Sequence, residues 1–134
     1  MPHISSKKID KRILEKLYKN LGSTISKISS SNLGQDFIST LMTHTERIMF
    51  AKRITIIWLL YRGVSYEEIE NKLKVSPMTV AKFAHKLDGG KYDKFIDLLK
   101  KEEKSLFNEI YDILHLNGLL RPYGVRKSIS RKKK

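Results

Sequence analysis

Apolar residues recur along the chain at helical spacing, in blocks separated by glycine, serine and proline. Ile9, Ile13, Leu14, Leu17 and Leu21 form the first such row. Ser5 or Ser6 stands before it as a candidate cap, and Gly22 follows as a candidate end. The opposite side carries Lys8, Lys11, Arg12, Lys16 and Lys19, which reads as a solvated face, with phosphate contact as the alternative. Ser23 to Asn32 is serine-rich and aperiodic, and predicts a loop. Leu33, Phe37, Ile38 and Leu41 then place a short helix over 35–42.

Thr43 and Glu46 have the spacing of a capping box, in which hydroxyl and carboxylate satisfy free backbone N–H groups at a helix start. The helix it opens is predicted to run from His44 to Arg62 and to stop at Gly63. Ile48, Ala51, Ile54, Ile57, Trp58 and Tyr61 give it an apolar surface wide enough for several neighbours, with Trp58 as a core residue.

Ser65 and Glu68 repeat the capping spacing two residues after Gly63, so another helix begins there, and Val75-Ser76-Pro77 ends it. Ser76 caps the next helix and Pro77 takes its first position, where the missing N–H costs nothing. Ile69, Leu73, Val75, Val80 and Phe83 are spaced so that two short helices joined by a tight turn pack crosswise. That arrangement leaves Met78, Thr79, Lys82 and Lys86 on the outer side of the second helix, whose first turn is free to enter a DNA major groove. Met78 suits contact with a thymine methyl, Thr79 a base or phosphate, and Lys82 guanine or phosphate, while the helix start favours an anion.

Leu41-Met42-Thr43, Glu46-Arg47, Arg53, Leu59-Leu60-Tyr61-Arg62-Gly63, Ser65 and Val75-Ser76-Pro77-Met78-Thr79-Val80 together resemble the Trp repressor family over roughly Leu33 to Tyr92. Tyr66 and Gly89-Gly90-Lys91-Tyr92 are similar to its Trp-repressor-like branch. The resemblance implies an all-α subunit of about six helices, interlocked with a second copy and presenting two recognition helices. It also implies an effector pocket at Thr43, Arg53, Lys82 and Phe83, and here the sequence departs from tryptophan-responsive members. Lys82 stands where a second arginine is expected, Phe83 fills the place of a glycine that makes room for a flat ligand, and Lys86 replaces a serine. Tryptophan is therefore not the expected effector, and none is assigned in its place. Glu67 and Glu70 occupy positions that are often basic in the family.

Beyond the motif, Tyr92, Phe95, Ile96, Leu99, Leu106, Phe107, Ile110, Ile113 and Leu114 predict one long helix or two consecutive ones as far as about Leu116, stopped by Asn117-Gly118. The chain's 134 residues carry 27 Lys and Arg against 14 acids, a formal +13 that points to a polyanionic partner. This charge is uneven. Residues 65–87 hold four lysines against three glutamates, whereas 121–134 hold seven basic residues and no acid. The basic end reads either as a solubilising tail or as an arm tracking phosphates, each contact steepening the salt dependence by roughly −0.9.

There are no cysteines, which excludes disulfides and thiolate zinc sites and is compatible with a reducing cytoplasm. No stretch approaches the roughly 18 apolar residues of a membrane span, and Met1 to Asp10 lack the apolar run of a signal peptide. His3, His44, His85 and His115 have no metal-ligand spacing, and no phosphate loop or nucleophile motif is present, so neither catalysis, a metal nor a cofactor is expected.

The sequence thus predicts a flexible N-terminus at 1–6, one helical DNA-binding domain at 7–118 with its helix-turn-helix at 65–87, and a basic flexible tail at 119–134. Its partners are double-stranded DNA and a second copy, without a membrane. Ser65, Tyr66, Ser76, Pro77, Met78, Thr79, Lys82 and Lys86 are the candidate DNA contacts. The alternatives are an architectural or mobile-element DNA-binding protein, or a charge-driven module for RNA or an acidic protein.

Overall fold

A computed structural model describes residues 7–101 and 108–116, and all regular structure among them is helical. In chain order the helices are α1 (Lys11–Ser29), α2 (Gly34–Leu41), α3 (His44–Tyr61), α4 (Tyr66–Leu73), α5 (Pro77–Asp88), α6 (Asp93–Lys101) and α7 (Asn108–Ile113). The chain divides into two compact units, Met1–Ala51 and Lys52–Lys134. No helix of the described residues is long and apolar enough to cross a membrane.

In the first unit, α1 departs from expectation at both ends. Asp10 caps it by accepting the Arg12 N–H at 2.9 Å, while Ser5 and Ser6 lie outside the described residues. The helix then passes through Gly22 and most of the serine run expected to form a loop. A mid-helix glycine costs only about 1 kcal/mol relative to alanine, and the row Leu14, Leu17, Leu21, Ile25 and Ile28 continues the helical period across it. The serines assist the ending. Ser29, Ser30 and Ser31 donate through Oγ to the carbonyls of Ser26, Lys27 and Ile28 at 2.8–3.0 Å, satisfying acceptors of the last turns. Asn32, with φ 62°, turns the chain.

α2 starts and stops one residue earlier than the 35–42 expected, and it packs on α1. Neither helix contains a buried residue. Ile13, Leu17, Leu21 and Ile25 are each about half exposed.

The capping box at the start of α3 is formed. The Thr43 N–H donates to Glu46 Oε1 at 2.8 Å, and the Glu46 N–H donates to Thr43 Oγ1 at 3.1 Å. Arg62 lies just beyond the helix, and Gly63 at φ 84° closes it, with the Gly63 and Val64 N–H groups donating to the carbonyls of Leu60 and Leu59. Ile48 and Ala51, expected on the apolar surface, are exposed, whereas six consecutive residues, Ile56 to Tyr61, are buried. A helix apolar all round is enclosed by neighbours on every side.

That half of α3 is the axis of the second unit's core, joined by Val64, Ile69, Val80, Ala84, Leu87, Ile96, Leu99, Tyr111 and Leu116. Trp58 is fully buried and stacks on Tyr61 with ring centroids 5.4 Å apart. Arg62 ties α7 to α3: its Nη1 donates to the Tyr111 hydroxyl at 3.3 Å and its guanidinium lies 5.3 Å from that ring's centroid. The region expected as one or two helices holds α6 and α7 among its described residues, with His115 at φ 58° ending α7. Leu106, Phe107 and the Asn117-Gly118 stop lie outside the described residues, as do the termini expected to be flexible at 1–6 and 119–134.

Candidate nucleic-acid interface

Two caps and one left-handed residue set the turn between α4 and α5. Ser65 Oγ accepts the Glu68 N–H at 3.2 Å and starts α4. Lys74 ends it in the left-handed conformation at φ 57°, ψ 56°, which costs a side-chain-bearing residue about 1 kcal/mol or more. Two contacts hold it there: the Val75 N–H donates to the Glu70 carbonyl at 3.3 Å, and Lys52 Nζ of α3 donates to the Lys74 carbonyl at 3.4 Å. Ser76 then caps α5, its Oγ accepting the Thr79 N–H at 3.2 Å and sharing a second hydrogen bond, 2.9 Å long, with Thr79 Oγ1. With Pro77 first in the helix and the Val80 N–H on the Ser76 carbonyl, Met78 supplies the first-turn amide left for an outside acceptor.

Burial decides which side of α5 faces out. Val80, Ala84 and Leu87 are buried in the core with Ile69 of α4, while Leu73, Val75 and Phe83 pack against it, so the two short helices are pinned by the residues their spacing singled out. On the opposite side Met78 is 69% exposed and, with Ala81, Lys82, His85 and Lys86, lines an open concavity. Ser65, Tyr66, Ser76 and Pro77 are also exposed, and Thr79 is half-buried. Ala81 and His85 belong to this face but were not among the candidate contacts; their spacing of three and seven from Met78 is the signal that marks them.

The helix-turn-helix of α4 and α5 has a relative. The family model described as Trp repressor protein matches residues 16–103, more than half of the chain. This chain belongs to the Trp repressor family. At the family level it is a helix-turn-helix DNA-binding regulator. The match reaches beyond the Leu33 to Tyr92 region of the sequence resemblance and takes in much of α1 and α6. No curated protein and no solved structure matches the chain.

The residues that the sequence resemblance set at an effector pocket do not share one surface. Phe83 and Lys82, adjacent in sequence, diverge: Lys82 lines the outer concavity, while the Phe83 ring lies 6.3 Å from that of Tyr92, centroid to centroid. Burial raises the Tyr92 phenol above its ordinary pKa, partly opposed by the nearby Arg53 guanidinium. The Thr43 hydroxyl is engaged in capping α3. Among the described residues no three His, Asp or Glu side chains are grouped to hold a metal ion.

Proposed function

We propose that this chain is a homodimeric, sequence-specific regulator of transcription that binds duplex DNA in the cytoplasm without tryptophan as effector. The observation that carries the reading is the two-sidedness of α5. Val80, Ala84 and Leu87 fix one side in the core, and Met78, Ala81, Lys82, His85 and Lys86 stand on the other, open side. An outward first turn of this kind fits the major groove, where base edges distinguish all four pairs. Met78, Thr79 and Lys82 read bases; Lys86, Ser65, Tyr66, Ser76, Pro77 and the Met78 amide hold the backbone. The motif's own net charge is small, so much of the phosphate attraction falls to the basic arm at 119–134 that follows a helical domain at 7–118.

Two further observations support the finer parts of the proposal. Exposed apolar rows on α1 and α2 suit cover by a second copy, which would place two recognition helices on half-sites about one helical turn apart. The pairing of Phe83 with Tyr92 fills space that a flat ligand needs beside α5, which favours a tryptophan-independent protein.

Selection from a random duplex pool, with and without tryptophan, tests the proposal. A symmetric enriched motif, unchanged by the amino acid and lost in the Thr79→Ala, Lys82→Ala double variant, is the expected result. Binding that ignores sequence at physiological salt and depends only on the basic tail would overturn it.

A further inference from the structure

The open face of α5 has a composition that generic phosphate binding does not require. Its lining is mainly apolar and is drawn from Met78, Ala81, Lys82, His85 and Lys86. Met78, Ala81, Lys82 and His85 follow one another at steps of three, one and three, a single stripe down the helix. Met78, 69% exposed, stands on the side of the helix opposite Val80, Ala84 and Leu87, which close the core.

Resting on the duplex-binding reading above, we infer that this concavity is a seat for the C5-methyl group of thymine and makes a Met78–Ala81 contact a determinant of sequence preference. The chemistry on each side matches. In the major groove the C5-methyl is the one apolar group that a base pair displays, and only thymine carries it. A small residue at 81 leaves the depth for a methyl, and the flexible thioether of Met78 closes over it. Lys82 and Lys86 flank the seat with positive charge, which suits the phosphates and purine acceptors on either side of a thymine. Thr79, whose hydroxyl already shares a hydrogen bond with Ser76, retains only part of its bonding capacity for base edges, so apolar contact carries more of the discrimination than the motif alone suggests.

The test uses the full chain and a duplex that it selects from a random pool. Each dT in the selected duplex is replaced in turn by dU, which keeps the pairing and both groove hydrogen-bonding edges and removes only the methyl, and affinity is measured by fluorescence anisotropy. At one or two positions per half-site the loss is expected to be roughly fourfold, the worth of one buried methyl. In the Met78→Ala variant that dT-to-dU difference should fall to near unity while the salt dependence of binding stays unchanged, a pairing that simple misfolding does not produce; circular dichroism of the variant checks that it is folded. Equal affinity for dT and dU at every position overturns the methyl seat and leaves duplex recognition standing, as does a selected motif without thymine. Failure to select any duplex overturns both.

Discussion

The two compact units of this chain solve the problem of burying apolar side chains in opposite ways. The second unit closes on itself: the last turns of α3 are buried all round, and every helix from α4 to α7 contributes at least one buried residue to one core. The first unit contains apolar rows of comparable regularity, yet α1 and α2 bury nothing completely. Two helices with open apolar rows do not exclude water as a five-helix cluster does, and an isolated helix as short as the eight residues of α2 is marginal in water. The lesson is that the helix-turn-helix stands on a self-sufficient core, while the N-terminal helices leave their apolar rows half exposed.

The largest expected effect lies at the axis of the closed unit. Trp58→Ala should cost about 3–5 kcal/mol, read from chemical denaturation, and a loss under about 1 kcal/mol would break the picture of α3 as the organising element. Next comes the open unit. Leu17→Glu or Leu21→Glu should weaken self-association by about 1.5–3 kcal/mol per side chain, seen as dissociation in sedimentation velocity, with the helical signal of the core retained. If those variants remain as associated as the parent chain, the contrast between the units loses its functional meaning.

Smaller changes sharpen the comparison inside the motif. Ser76→Ala removes the cap of α5 and should lower stability by about 1 kcal/mol in denaturation experiments, with weaker DNA binding because the first turn frays. Lys74→Gly should do the reverse, raising stability by about 1 kcal/mol, because the left-handed conformation at φ 57° suits glycine and the Lys52 contact is to a backbone carbonyl that the change preserves. The smallest effect concerns pH. Tyr92 has a raised pKa when folded, so the folded state keeps its proton longer than the unfolded one; its contribution to stability is full below about pH 10 and is lost as the pH rises through the folded value. Thermal melts between pH 9 and 11 should fall less steeply for Tyr92→Phe than for the parent chain.

Much of the motif was legible in the residues alone. The caps at Thr43, Ser65 and Ser76 form the bonds their spacing announces, because capping is local: donor and acceptor are three residues apart and need no tertiary help. Membership of the Trp repressor family was legible in the same stretch. The serine-rich segment was misread because a compositional rule for loops was set against a helical period that Ile25 and Ile28 carry onward, and the period prevailed. Ala81 was not singled out because its residue type carries no contact chemistry of its own; its place on the exposed stripe is visible only in the fold.

By itself the sequence determined where α3, α4 and α5 start, that the last of these begins with Ser76 and Pro77 beside a tight turn, and that the chain is strongly basic, since backbone capping, proline geometry and net charge depend on near neighbours or on simple counting. Only the tertiary structure decided that Ala84 and Leu87 close the core side of α5, that the Phe83 ring lies beside Tyr92, and that Arg62 reaches Tyr111 across 49 residues of chain. Those outcomes depend on which apolar surfaces meet, and burial is settled collectively by every element that packs on α3 rather than by any segment alone.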